Sequence, residues 1–125
     1  MKRDMDLMRE ILFEVEKWPF TGSFDTLTIP NHSEQEISYH VYLLADAGLI
    51  EAQSAATITS STQKWYPKHL TNEGHEFLDA ARQDNTWAKA KETVSKSAGT
   101  VTLEALKTAL NFFMERAITA ALKGL

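Results

Sequence analysis

The sequence predicts a mainly α protein of the α+β class, in which several helices accompany one small β-hairpin. Apolar residues recur at helical spacing in most of the chain, whereas two short runs after residue 49 alternate as strands do. The chain has 125 residues, of which 43% are hydrophobic and 24% charged, as is ordinary for a globular protein. This length suits one domain with an extension. We expect the domain over residues 1–83 and a C-terminal helical extension over residues 84–125.

The best defined element is a helix that begins after Ser33 and ends at Gly48. Ser33 and Glu36 have the spacing of a capping box, in which the two side chains bond each other's backbone amides. Gly48 favours the left-handed conformation that closes a helix. We expect His40 and Leu43 at the flanks of the buried face. Helical spacing predicts that this face consists of Ile37, Val41, Leu44 and Ala47.

An earlier helix is predicted to end at Lys17 or Trp18, because Pro19 disfavours helical geometry in the residue before it. Its apolar face contains Met8, Ile11, Leu12 and Val15, which follow helical spacing. Leu27 and Ile29 alternate with threonines, which predicts a short strand at this point.

The central helix is followed by two extended runs, residues 50–55 and 64–70, which predict a β-hairpin. The Ser/Thr-rich stretch 57–62 separates them and is expected to form the tip. Thr71 is a suitable N-cap for the next helix. A further helix is predicted to start at Asp84 or Asn85 and to end at Gly99.

The helix ending in L-L-x-x-A-G-L-I and running into a strand resembles the second helix of the helix-turn-helix in winged-helix proteins. Nearly the whole chain is similar to an uncharacterised bacterial and phage family, domain of unknown function twenty-five-thirteen. The segments that carry this similarity are MKRDMDLMREIL, ISYHVYLLADAGLI and LTNEGHEFLDAARQDNTW. The resemblance implies a winged helix-turn-helix fold with residues 50–70 as the wing, and it implies no chemistry. The chain departs from most winged-helix regulators at residues 26–29, where those proteins have a compact positioning helix.

Composition excludes several classes of function. The chain has no cysteine, which rules out disulfides, thiolate metal sites and cysteine nucleophiles. No nucleophile motif, phosphate-binding loop or dinucleotide fingerprint occurs. His75 and Asp79 lie one helical turn apart, but they belong to no recognised ligand motif. We therefore expect no enzyme activity, no catalytic residues, no metal and no cofactor. The absence of a secretory signal or a long apolar run predicts a cytoplasmic protein without a membrane segment.

The fold resemblance favours a DNA-binding regulator that uses helix 33–47 and the wing. In that hypothesis polar and aromatic side chains of the helix contact bases or phosphates, and the wing contributes cations. The predicted contact residues are Gln35, Ser38, Tyr39, Tyr42, Lys64 and Lys68.

The distribution of charge favours a different partner. No Lys or Arg lies between Lys17 and Lys64, and the five acids in that interval give it a formal charge of −5. Since phosphate neutralisation supplies much of the affinity for DNA, this acidic segment argues against it. The alternative hypothesis is a protein-interaction module, in which the acidic helix with Tyr39 and Tyr42 binds a basic or aromatic surface of a partner protein.

The last helix is predicted from Thr100 or Thr102 to Leu122 and is apolar around more than half of its circumference. Such a helix packs on two neighbours, either both within this chain or one of them in a second copy. A membrane-surface helix is disfavoured because its polar strip lacks dense Lys and Arg. We expect a homodimer. The predicted interface consists of Leu110, Phe112, Phe113, Met114 and Ala117.

We interpret one histidine and the three tryptophans as core residues. His40 is expected to be a hydrogen-bonded core residue instead of a ligand. Trp18, Trp65 and Trp87 each lie at the edge of a predicted element, and we expect them to anchor the core.

Overall fold

The structure, a computed structural model, describes residues 1–56 and 63–125, with the backbone alone at residue 56. Within these ranges it has five helices and one antiparallel β-hairpin, which confirms the mainly helical α+β class. The predicted tip of the hairpin, residues 57–62, lies outside the described residues. The chain divides into two compact units, residues 1–76 and residues 77–125. The elements are α1 Met5–Glu16, α2 Glu34–Asp46, β1 Ile50–Ala56, β2 Gln63–Leu70, α3 Asn72–Ala81, α4 Asp84–Ala98 and α5 Leu103–Lys123.

Helix α1 supplies one wall of the core of the first unit. Asp4 caps it by accepting a hydrogen bond from the backbone N–H of Leu7 at 3.1 Å, which satisfies one of the free amides of the first turn. The helix ends at Glu16, one residue before the predicted range, and it packs against α2 and β2. Its buried side chains include the predicted face: Met5, Leu7, Met8, Ile11, Leu12 and Val15.

Helix α2 begins as predicted. The hydroxyl of Ser33 accepts from the N–H of Glu36 at 3.1 Å, and the Glu36 carboxylate accepts from the N–H of Ser33 at 3.2 Å. The end is also as predicted: Gly48 has a φ of +81°, and the N–H of Leu49 donates to the carbonyl of Leu44 at 3.0 Å. These bonds form a Schellman motif. The capping signals therefore fix both ends of α2.

The buried face of α2 differs from the prediction at two positions. Ala47 is the exposed C-cap, whereas His40 is only 1% exposed and belongs to the core. His40 lies inside because it links two helices: the N–H of Asp4 donates to its Nε2 at 2.8 Å, and its Nδ1 donates to the carbonyl of Glu36 at 2.7 Å. With both ring nitrogens bonded in this way, the ring is the neutral Nδ1–H tautomer. The prediction of a hydrogen-bonded core histidine is confirmed.

The predicted hairpin forms from β1 and β2 and packs against α2. Glu51 pairs with His69, and Ala52 pairs with Pro67, so Lys68 is an extra residue on β2. Such a bulge is a common place for a proline, which cannot donate to the ladder. The predicted strand at Leu27 and Ile29 is wrong: both side chains are buried, but no strand forms there. Alternation fixed the burial of this segment, while no second strand pairs with its backbone.

The junction of β2 and α3 is a close contact within the first unit. The hydroxyl of Thr71 donates to the carbonyl of Gly48 at 2.6 Å and accepts from the N–H of Gly74 at 3.0 Å. Thr71 is therefore the predicted cap of the helix. A Cβ atom at Gly74 would meet the carbonyl oxygen of Leu49, so glycine is needed for the helix to approach this closely.

The second unit consists of the end of α3 with α4 and α5, and α4 packs against α5. Trp87 on α4 is 4% exposed and meets Phe77 edge-to-face at 6.3 Å, as expected of a core anchor. Gly99, with a φ of +76°, ends α4 as predicted, and the hydroxyl of Thr102 caps α5 by accepting from the N–H of Ala105 at 3.1 Å. Among the described residues, no helix combines the length and apolarity needed to cross a membrane.

Candidate functional site: a groove between α2 and β2

An open groove of about 710 Å³ lies between α2 and β2 in the first unit. Five exposed or half-buried residues of α2 form one wall, and the start of β2 forms the other. The capping box orients the first wall, and the pairing of β2 with β1 holds the second. The lining residues are Glu34, Gln35, Ser38, Tyr39, Tyr42, Gln63, Lys64 and Trp65.

The two walls are joined at the base of the groove. The backbone N–H of Trp65 donates to the hydroxyl oxygen of Ser38 at 2.9 Å. A smaller cavity of about 100 Å³ continues beside this bond and shares Glu34, Ser38, Lys64 and Trp65 with the groove. Because the bond joins a helix to a strand, it sets the width of the groove.

Three aromatic rings form a continuous platform along the groove. Tyr39 stacks on Tyr42 with ring centres 6.3 Å apart and an interplanar angle of 25°, and Tyr42 meets Trp65 at 5.2 Å. Tyr42 is 38% exposed, whereas Tyr39 and Trp65 are half-buried. Rings held in this way present their faces to a ligand with little further loss of conformational freedom.

Among its described residues, the lining of the groove has one carboxylate, that of Glu34, and one cation, that of Lys64. Lys64 Nζ lies 3.3 Å from a carboxylate oxygen of Glu34, so the one cation of the lining is paired within the chain. A second carboxylate of α2, that of Glu36, lies two residues further along the helix and is not among the lining residues. The N–H of Ser33 and then the ring of His32 lower the pKa of Glu36, since both hydrogen-bond to its charged form. Glu36 is therefore an anion at neutral pH.

The groove thus combines an aromatic platform with the carboxylate of Glu34. Comparison with known proteins places the chain within a family. The sequence profile of a family described as "Hypothetical protein (DUF2513)" matches residues 2–100. The chain belongs to the DUF2513 family. An "Uncharacterized protein" of Haemophilus influenzae is 34% identical to it over 108 residues, which cover 86% of this chain and 90% of the relative. No solved structure matches significantly. The predicted family is confirmed, and none of these matches names an activity.

Most of the contact residues predicted for this DUF2513 protein meet in the groove. Gln35, Ser38, Tyr39, Tyr42 and Lys64 all line it. They are not equally available, because Ser38 and Lys64 have partners within the chain.

Lys68 is the exception among the predicted contacts. It is the half-buried extra residue of the β2 bulge and does not line the groove. Trp65 was expected in the core and instead forms part of the groove wall. One feature of the sequence indicated that Trp65 is near the site, namely its position directly beside Lys64. The direction of a strand side chain, however, depends on the register of the hairpin.

The residues predicted for a dimer interface lie on α5 in the second unit, and they do not share one surface. Leu110 is 1% exposed, so it is buried within the chain. Phe112 and Phe113 line a separate cleft with residues of α4. Met114 and Ala117 are exposed. Beyond them, the exposed apolar residues of α5 continue at Ile118 and Leu122, which are 52% and 61% exposed.

Proposed function

We propose that this DUF2513 protein is a non-catalytic protein-interaction module whose α2–β2 groove binds a basic segment of a partner protein. The observation that carries the proposal is the platform of Tyr39, Tyr42 and Trp65 in a groove that the carboxylate of Glu34 also lines. Tyrosine and tryptophan are enriched at protein interfaces.

Charge selects the chemistry of the partner. The interval between Lys17 and Lys64 has a formal charge of −5, which attracts basic segments and repels acidic ones. An arginine guanidinium suits this site best, because it stacks on aromatic faces while bonding to a carboxylate such as Glu34. At about 710 Å³, the groove has room for a few side chains of such a segment.

The test compares three capped peptides of equal length that differ at two positions, which carry arginine, glutamine or glutamate. Binding is followed by calorimetry, and the binding site is located by backbone NMR shifts in residues 33–46 and 63–66. We expect the arginine peptide to bind about tenfold more tightly than the glutamine peptide, since a desolvated cation over an aromatic ring contributes on this scale.

Substitutions distinguish peptide binding in the groove from a general attraction between opposite charges. Tyr42→Ala removes the central ring of the platform and is expected to weaken arginine-peptide binding about tenfold. Phe20→Ala is the matched control, because Phe20 is 80% exposed and lies outside the groove lining. Equal binding of the glutamine and arginine peptides, or equal losses in the two variants, would reject the proposal.

DNA binding through a winged-helix arrangement is the second candidate. It is favoured by a capped helix that lies beside a β-hairpin and exposes Gln35 and Tyr42, side chains that can contact base edges and phosphates. Against it stand the acidic interval and the pairing of Lys64 with Glu34. A titration with duplex DNA at two salt concentrations tests this candidate. Binding at low salt that falls steeply with salt supports it, and no binding at low salt ends it.

We further propose that two copies associate through the exposed apolar residues of α5. Support comes from Met114, Ile118 and Leu122, which lie four residues apart on one helix and are each at least 38% exposed. Sedimentation of the chain should give a dimer, and Ile118→Gln with Leu122→Gln should give a monomer. The control pair is Thr108→Gln with Lys107→Gln, both exposed on the same helix. A wild-type monomer at high concentration would refute this association.

A further inference from the structure

The second unit contains a cleft of about 510 Å³ between α4 and α5 that differs in chemistry from the α2–β2 groove. Two phenylalanine rings and two cations line it, together with one hydroxyl residue near the start of α4. Its lining residues are Thr86, Lys89, Phe112, Phe113 and Arg116.

The cations and the rings are interleaved. Lys89 Nζ lies 4.7 Å from the ring centre of Phe113, and the guanidinium carbon of Arg116 lies 5.6 Å from that of Phe112. The two rings meet edge-to-face with centres 5.8 Å apart. Phe112 and Arg116 are four residues apart on α5 and so share one face of the helix, while Lys89 reaches the cleft from α4.

The two cations are available to a ligand. Within the described part of the chain, Lys89 and Arg116 contact these rings and form no ion pair with a carboxylate. This contrasts with Lys64 in the first unit, which is paired with Glu34. Phe112 is 51% exposed, so about half of its surface is open to solvent.

We propose that this cleft binds a nucleotide unit, with the base stacked on Phe112 and the phosphate held by Lys89 and Arg116. Stacking on an exposed aromatic ring accommodates every base. Arginine and lysine are the residues that bind phosphate most often, arginine through two parallel hydrogen bonds. The hydroxyl of Thr86, in the first turn of α4, is a further donor for the phosphate or the sugar.

This inference stands apart from the proposed function, because the two sites share no residue. It also gives Phe112 and Phe113 a role other than the dimer interface predicted from the sequence. A nucleotide unit can come from a free mononucleotide or from a single strand of nucleic acid, and both present the same base and phosphate.

The test is calorimetry of the full chain with AMP, adenosine, inorganic phosphate and a single-stranded oligoadenylate. We expect AMP to bind at least about tenfold more tightly than adenosine or phosphate, since adenosine lacks the phosphate group and inorganic phosphate lacks the base. Shift changes in NMR spectra should fall in residues 84–90 and 112–116. Tighter binding of oligoadenylate than of AMP identifies a strand as the source, and equal binding identifies the free nucleotide.

Matched variants then distinguish binding at this cleft from a general attraction to positive charge. Lys89→Gln with Arg116→Gln should weaken AMP binding about tenfold or more, and Phe112→Ala should weaken it by a similar factor. Lys107→Gln with Lys123→Gln removes the same charge from exposed positions of α5 outside the cleft and should leave the affinity unchanged. The inference is overturned if neither AMP nor oligoadenylate binds, if phosphate alone binds as well as AMP, or if the control pair weakens binding equally.

Discussion

The N–H of Trp65 donates to the hydroxyl of Ser38 at 2.9 Å, and these two residues are 27 positions apart in the chain. The bond connects a half-buried residue of α2 to the third residue of β2. It therefore holds together the two elements that carry the aromatic platform, since Tyr39 and Tyr42 lie on α2 and Trp65 lies on β2.

Ser38→Ala should reduce the free energy of unfolding by about 1–2 kcal/mol, since the substitution leaves a half-buried N–H without its acceptor. Ser38→Thr keeps the hydroxyl and should recover most of that loss. Urea denaturation measures both values. Ser97→Ala serves as the control: Ser97 is exposed on α4, and its loss should change stability by less than about 0.5 kcal/mol. A Ser38→Ala protein as stable as Ser97→Ala would show that the bond does not hold the groove.

His40→Ala should be more damaging, at about 3 kcal/mol. It removes a side chain that is 1% exposed and leaves the N–H of Asp4 without an acceptor, so a cavity and an unpaired donor add together. His75→Ala, at an exposed position on α3, is the matched control and should have little effect. Equal denaturation midpoints for the two variants would contradict the role of His40 as the link between α1 and α2.

The sequence predicted the features that depend on neighbours within a few residues. Ser33 and Glu36 are three positions apart, and Gly48 follows the last turn of α2, so both ends of this helix could be predicted before any tertiary contact was known. The cap of Thr71 and the end of α4 at Gly99 are of the same kind.

Features that depend on distant residues could not be predicted in this way. That His40 lies in the core was predicted, but not its partner, the N–H of Asp4, which lies 36 positions earlier. Trp65 faces the groove because of the register of the hairpin, and Lys68 is displaced from the regular ladder by a bulge. Likewise, the alternation at Leu27 and Ile29 correctly predicted that both side chains are buried. It did not predict the absence of a strand, because a strand also needs a neighbouring strand with which to pair. The groove residues of α2 could largely be predicted from helical spacing, whereas Trp65 on β2 could not.

Gly74→Ala should lower stability by about 2 kcal/mol or more, because the new Cβ would collide with the carbonyl oxygen of Leu49, and backbone cannot move aside cheaply. The control is Gly124→Ala, where the nearest atom is the Ala121 carbonyl oxygen at 3.4 Å. Thermal melting compares the two variants with the wild type. If the Gly74→Ala variant has the same melting temperature as the wild type, α3 does not approach Leu49 as closely as this contact requires.

Glu36 should make the stability of the first unit depend on pH. Its pKa is lowered in the folded chain, chiefly by the N–H of Ser33 and then by His32. A group whose pKa is lower in the folded than in the unfolded state stabilises the fold above its unfolded pKa, and this contribution is lost as the pH falls through its folded pKa. The ordinary pKa of a glutamate is 4.5, so the stabilising contribution of Glu36 is lost at pH values below 4.5.

Glu36→Gln tests this dependence. The wild type should melt at a higher temperature than the variant at pH 7, and the difference should be smaller at pH 3, because protonation of the carboxylate increases as the pH falls below 4.5 towards its lowered pKa. Glu10→Gln, at an exposed position on α1, should give the same small difference at both pH values. A gap between wild type and Glu36→Gln that stays constant from pH 7 to pH 3 would mean that the capping bond owes nothing to the charge of Glu36, and that Ser33 alone positions the start of α2.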